Sequence, residues 1–174
     1  MVHTLQDSSR RTPPPAADRG VPPLTLRPAL PADDGFLFRV YAGSGAGGAD
    51  APRMGLLRQQ FDREDRRYRE TFPAADYLVV LRGEQPVGRL YVDHGRKRIR
   101  ILDLALLPEH RNGGLGSLLL TSLLVEADWM DKPLQVQVPR FHRSLHLLER
   151  FGFRRIGGSR LRLVLERRPG LSRR

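Results

Sequence analysis

Apolar residues recur along this chain with two different periods, and the elements change where the period changes. Tyr77-Leu78-Val79-Val80-Leu81 and, after Gly83-Glu84, Pro86-Val87-Gly88-Arg89-Leu90-Tyr91-Val92 read as two strands joined by a tight turn. The nearly unbroken run Ile99-Arg100-Ile101-Leu102-Asp103-Leu104-Ala105-Leu106-Leu107 reads as a buried strand, and residues 117–125 read as a helix. A strand over 134–138, a helix over 144–153 and a last strand over 160–165 follow. That last strand alternates polar and apolar residues in its first four positions, the pattern expected of a sheet edge with one wet face. Upstream, residues 24–28 read as a short strand ended by Pro28, and a helix start is expected near Asp33-Asp34, with Phe36, Leu37 and Val40 as its apolar face. Leu56, Leu57, Gln60, Phe61, Tyr68 and Phe72 suit one or two amphipathic helical segments ending at Pro73. The order is an α/β arrangement around a central mixed sheet.

Composition narrows the picture. A chain of 174 residues fits one domain. Residues 1–23 include Pro13-Pro14-Pro15 and Pro22-Pro23 with little apolar content, so a disordered N-terminal tail is expected, followed by a domain over 24–166 and a basic tail over 167–174. Four glycines within residues 43–48 read as a flexible loop. The absence of cysteine excludes disulfides, thiolate metal sites and a cysteine nucleophile, and no metal site is expected. No apolar run reaches the roughly 18 residues of a membrane span and no secretory signal is visible, so no membrane partner and a cytoplasmic location are expected.

The net charge of +11 is uneven. Residues 140–174 hold eleven arginines against Glu149 and Glu166, whereas residues 24–80 hold eight basic and eight acidic side chains. Such a bias steers an anion, or belongs to a solvated face, or binds nucleic acid. Of the aromatics in the basic segment, Phe151 and Phe153 look like core and only Phe141 remains, which argues against stacking on nucleic acid.

The motif with the most chemical content is Arg111-Asn112-Gly113-Gly114-Leu115-Gly116, between the buried strand and the helix. Glycines let the backbone approach a ligand, and the free first-turn N–H groups with the helix dipole, about half a positive charge, make an anion site. A mononucleotide loop would end Gly-Lys-Ser/Thr, and a dinucleotide loop would place a third glycine where Leu119 stands; neither fits.

These residues resemble the coenzyme A loop of the GCN5-related N-acetyltransferases, Arg/Gln-x-x-Gly-x-Gly/Ala, matched by Arg111, Gly114 and Gly116. The flank at 104–111, the hairpin upstream, and a second helix closing on Gly152-Phe153 resemble the family as well, so the resemblance spans about 24–166. It implies the acyl-CoA N-acyltransferase fold: a mixed, mostly antiparallel sheet flanked by helices. It also implies acetyl transfer from acetyl-coenzyme A to an amine by direct attack, with the acceptor unidentified. The backbone N–H groups of Arg111, Asn112, Gly113, Gly114, Leu115, Gly116 and Ser117 would cradle the pyrophosphate, with Arg111 adding charge. Leu104, Ala105 and Leu106 would pair with the pantetheine arm, and the Leu106 amide would face the oxyanion.

The remaining chemistry departs from the family pattern. Arg100 stands where histone-type members carry a glutamate base, so Asp103, the one carboxylate interrupting the apolar strand, is the candidate base; strand alternation could instead turn it to a structural hydrogen bond. Leu148 replaces the tyrosine acid of many members. His142 falls where relatives carry an asparagine on the cofactor arm and is the candidate to bond that arm and donate a proton; the alternative is that His142 and His146 both lie on a wet helix face. Tyr41, the 43–48 loop and Tyr91 are candidate acceptor-lining groups. The rival readings are a non-catalytic coenzyme- or partner-binding module of the same fold and a basic nucleic-acid binder. The net positive charge argues against polycationic acceptors, and an edge strand at 160–165 would let two copies pair as a homodimer.

Overall fold

Burial along β3 explains the layering. In the computed structural model, which describes residues 23–44 and 51–170, this strand (Gln85–His94) is buried without interruption from Val87 to Val92, as a central strand covered on both faces must be. It belongs to one seven-stranded sheet in the order β1-β2-β3-β4-β5-β7-β6. The other strands are β1 Leu24–Pro28, β2 Asp76–Arg82, β4 Ile99–Leu106, β5 Leu134–Pro139, β6 Arg154–Gly158 and β7 Arg162–Arg167. Every pairing is antiparallel except β4 with β5. The helices are α1 Asp34–Gly43, α2 Ala51–Thr71, α3 Leu115–Trp129 and α4 Leu145–Arg150.

The two faces differ in chemistry. Leu90 and Val92 join the larger core, with Leu119, Leu120, Leu123 and Leu124 of α3. Those leucines recur at helical spacing, so α3 lays one apolar stripe on the sheet. The opposite face carries a smaller core in which Val79 packs with Leu37 of α1 and Phe61 of α2. Val79 pairs with Arg89 and Tyr77 with Tyr91, so Arg89 and Tyr91 share that second face.

The C-terminal hairpin corrects an expectation. The last strand runs over 162–167, not 160–165, and it is interior: β7 pairs with β5 from Leu134↔Arg167 to Pro139↔Arg162 and with β6 on its other side. Ser159, Arg160 and Leu161 form the turn instead, because the Ser159 N–H donates to the Arg162 carbonyl (2.7 Å) and its hydroxyl oxygen accepts from the Leu161 and Arg162 amides. Polar/apolar alternation reports one wet face, which an interior antiparallel strand also has. The sheet edges are β1 and β6, so a homodimer through an edge at 160–165 has no edge to use.

Of the one or two helical segments expected before Pro73 the chain forms one, α2, of 21 residues. One further boundary differs. The segment from Arg167 is tied down rather than free: the Arg167 guanidinium pairs with Asp128 near the end of α3, and the Gly170 N–H donates to Asp128 Oδ1 at 2.9 Å. Residues 1–22, 45–50 and 171–174, which include most of the expected N-terminal tail and of the glycine-rich loop, lie outside the described residues.

His94 couples the sheet to α3. Its Nδ1 lies 2.9 Å from Asp76 Oδ2 and its Nε2 3.0 Å from Glu126 Oε1. The Glu126 interaction, reinforced by both negative charges, raises the imidazole pKa above its ordinary value against partial burial. A raised folded pKa contributes stability below the unfolded value and loses it as pH rises through the folded one. His94→Ala is therefore expected to cost about 1 kcal/mol near pH 5.5, discounted for the exposed carboxylates, and less near pH 9. Thermal unfolding of both proteins at the two pH values checks this, and equal losses would refute it.

Candidate active site

The site begins where β4 leaves β5. Their ladder covers Ile99↔Leu134, Arg100↔Gln135 and Ile101↔Val136 and stops there. On the other side of β4, Tyr91 pairs with Asp103 and Val92 with Ile101, so Leu102 is an extra residue, a bulge. Bulges bend a strand and increase its twist, which turns the end of β4 away from β5. The Tyr68 hydroxyl donates to the Leu102 carbonyl at 3.0 Å.

Past the bulge, register decides which peptide groups face the gap. The Leu107 N–H donates to the Val87 carbonyl (2.9 Å), so Arg89/Ala105 and Tyr91/Asp103 are the hydrogen-bonded pairs, and Leu104 and Leu106 turn their peptide groups the other way. The Leu106 carbonyl accepts from Arg111 Nε at 2.8 Å. The Leu106 N–H and both groups of Leu104 lie beyond the β5 ladder with no partner among the described residues. Ala105, by contrast, uses its peptide groups on β3 and cannot serve the gap as expected from the sequence.

The glycine loop closes one end of this gap. Asn112 (φ 62°) and Gly114 (φ 81°) are left-handed, and Gly114 caps α3; a side chain is tolerated poorly at that φ. The N–H groups of residues 112–117 find no acceptor among the described residues, and those of the first α3 turn sit at the positive end of its dipole. A Cβ on Gly113 or Gly116 would meet nothing within 4 Å, so the chain's own packing does not require glycine at either position. Open space beside free amide donors fits a pyrophosphate. Arg111 does not join them. Its own N–H goes to the Pro108 carbonyl, and its guanidinium ties the loop to β4 and, through Nη2 at 2.7 Å, to the carbonyl of Gly43 at the end of α1. Burial, then the neighbouring Arg143, lowers its pKa.

The α1/α2 side of the gap carries a polar cluster in which Asp103 and Tyr41 were expected from the sequence and Arg89 and Glu64 were not. Arg89, 5% exposed, forms an ion pair with Asp103, and its guanidinium carbon lies 5.6, 5.7 and 5.2 Å from the ring centres of Tyr41, Phe61 and Tyr91. Asp103 is thus an ion-paired carboxylate. Glu64 of α2 stands close by: burial, then the Glu64 carboxylate, pushes the Tyr41 phenol above its usual range. Burial, then the charges of Asp103 and Glu64, does the same to Tyr68. The sequence signal for Glu64 is its place on the stripe Leu57, Phe61, Glu64, Tyr68, where an acid interrupts an apolar helix face.

One other predicted group is corrected. Tyr91 is fully buried and cannot line an acceptor pocket; burial pushes its phenol up to about 12. His146 is a solvated side chain, 94% exposed. His142 is half-buried and faces the charge of Asp103. Its Nδ1 accepts the Ser144 N–H at 3.3 Å and lies 2.7 Å from Ser144 Oγ, which leaves Nε2 to carry the hydrogen of a neutral ring. Burial, then Arg143, lowers its pKa against the opposing Asp103 charge, so the ring offers a hydrogen bond at neutral pH more readily than a proton. Leu148 is buried in the larger core. A separate open groove of about 560 Å³ along α2 is lined by Arg58, Asp34 and Asp62, already paired with one another at 2.7 and 2.9 Å.

A mostly antiparallel sheet, splayed at its one parallel pair beside a helix start with free amides, defines the acyl-CoA N-acyltransferase fold class. Within it the chain belongs to the acetyltransferase (GNAT) family, whose family model matches residues 50–153 and whose acyl donor is acetyl-coenzyme A. No curated protein matches the sequence. Among solved structures it is similar to a PaiA N-acetyltransferase from Thermoplasma acidophilum in complex with coenzyme A, at 15% identity and TM-score 0.64 over 83% of this chain and 98% of that one. An acetyltransferase from Thermus thermophilus aligns at 21% identity and TM-score 0.63 over 83% and 96%. A GNAT family acetyltransferase from Elizabethkingia anophelis with acetyl-CoA bound aligns at 12% and 0.56 over 83% and 97%. Likeness at these identities shows the fold.

Proposed function

We propose that this chain is an N-acetyltransferase acting on a primary amine. The observation that carries the reading is convergence: the free peptide groups of Leu104 and Leu106, the free amides of residues 112–117 and the carboxylates of Glu64 and Asp103 surround one gap in the sheet. Acetyl-coenzyme A, when bound, supplies an acetyl group already activated as a thioester. The amides of Asn112, Gly113, Gly114, Leu115, Gly116 and Ser117 would hold its pyrophosphate and the Leu104 peptide groups its amide arm, while the Leu106 N–H is the donor available to a carbonyl oxygen in the gap.

The acceptor enters as an ammonium and must lose a proton. Asp103 has its charge balanced by the buried Arg89 and forms an ion-paired wall; Glu64, beside the hydroxyls of Tyr41 and Tyr68 and met among the described residues only by the solvated Arg67 guanidinium at 3.8 Å, takes the proton at a carboxylate oxygen, directly or through one water. His142 contributes an Nε2–H hydrogen bond at the far side. Glu64→Gln is expected to lower turnover about 10²-fold with acetyl-coenzyme A affinity unchanged. Thiol release across a panel of amines, beside calorimetric titration of the cofactor, checks this; unchanged turnover would remove Glu64 from the chemistry. The leucine at 148 favours a second reading, a coenzyme-binding module without turnover. Tight binding with no thiol release from any amine would establish that one.

A further inference from the structure

Two loops at the rim of the gap present chemistry that the transfer reaction does not use. The Arg140 N–H donates to the Leu161 carbonyl at 2.9 Å, which fastens the β5–α4 loop to the β6–β7 turn. On this joint Phe141 is 93% exposed and Leu161 79% exposed. Arg140, Arg143 and Arg160 lie on the same two loops, all exposed, and residues 139–162 hold seven arginines against one carboxylate, Glu149. The rim adjoins the gap: His142, beside Phe141, faces the charge of Asp103, and Arg162 acts on the Tyr68 hydroxyl.

We propose that this rim docks an acidic polypeptide, so that the acceptor amine belongs to a peptide or protein whose flanking residues carry carboxylates and an apolar side chain. The inference rests on the acetyltransferase reading. Charge complementarity selects the occupant. The gap itself holds Glu64, suited to an ammonium, beside the Arg89–Asp103 pair, while the rim holds guanidinium forks, which bind carboxylates in a bidentate way. A ligand satisfying both is positive at its reacting end and negative beside it. A nucleic acid is negative throughout, and its phosphates would meet the carboxylates of the gap. The rim also offers one aromatic and one aliphatic side chain, a seat for an apolar residue rather than a stacking platform for successive bases.

The test uses the full chain and a fluorescent peptide with a free amino terminus, rich in glutamate and carrying one leucine. Controls are the same peptide with lysine for glutamate, and an oligothymidylate. The acidic peptide is expected to bind, with affinity falling as salt rises, and to lose about tenfold or more in the Phe141→Ser/Arg160→Ser variant. Both side chains are exposed, so thermal unfolding of the variant should match the wild type. Failure of the acidic peptide to bind, equal binding by wild type and variant, or binding of the oligothymidylate in its place would each overturn the proposal. Acetyl-coenzyme A titration of the same samples tests the underlying reading separately: a protein that binds the peptide but not the cofactor keeps the docking surface and loses the acetyltransferase.

Discussion

Gly116→Asp is expected to abolish acetyl-coenzyme A binding while leaving the domain as stable as the wild type or slightly more so. Gly116 is the second residue of α3, where an acidic side chain faces the positive end of the helix dipole, an arrangement that contributes about 0.3–1 kcal/mol. Glycine within a helix costs roughly 0.5–1 kcal/mol relative to alanine, and a Cβ here meets no neighbouring atom within 4 Å. The same carboxylate, however, lies among the amide donors that would hold the pyrophosphate. It supplies an internal anion to those donors and repels the external one. The expected loss is at least about 100-fold in affinity, near 3 kcal/mol. Calorimetric titration paired with thermal unfolding reads both arms. Affinity kept within a few-fold would mean that the pyrophosphate lies elsewhere. Gly114→Asp is the weaker experiment, because its φ of 81° adds backbone strain of about 1–2 kcal/mol and mixes folding with binding.

The contrast between these glycines shows what the sequence could convey. The loop's position between a buried strand and a helix was legible, because the apolar run at 99–107 and the leucine stripe of α3 both follow from burial periodicity. The functions of individual loop residues were less so. Arg111 looked like an anion ligand by type, yet its guanidinium joins two carbonyls, one of them 68 positions away at Gly43, a contact that no local pattern encodes. The bulge at Leu102 was hidden for a related reason. With Arg100 and Asp103 as its only polar residues, the run carries too little alternation to mark the residue where the register slips and the peptide groups of Leu104 and Leu106 change sides. Glu64 and Arg89 are charged residues at positions where the period calls for apolar ones. Such violations point to a site only once the partner is known, and in both cases the partner comes from a different element.

Arg89→Met is expected to destabilise the domain by about 3–5 kcal/mol, the usual cost of removing one member of a buried ion pair. The guanidinium is enclosed by Tyr41, Phe61 and Tyr91, and its loss leaves Asp103 without its counter-charge. Against a total of about 5–15 kcal/mol for a domain, that is a large fraction. Asp103→Asn should cost less, because the Asp103 side chain is 23% exposed and water reaches the gap. The double variant Arg89→Met/Asp103→Leu is expected to recover most of the loss: no charge is left unpaired, and a methionine can fill the space among three aromatic rings. Denaturant unfolding of the three variants gives the coupling between the two positions, and strictly additive costs would contradict the buried pair. The double variant also separates two roles for Asp103. If it folds and still releases thiol at a rate set by Glu64, then Asp103 serves to neutralise Arg89 and hold the wall of the gap. If it folds, binds acetyl-coenzyme A and transfers nothing, the proton goes to Asp103 and the assignment to Glu64 fails.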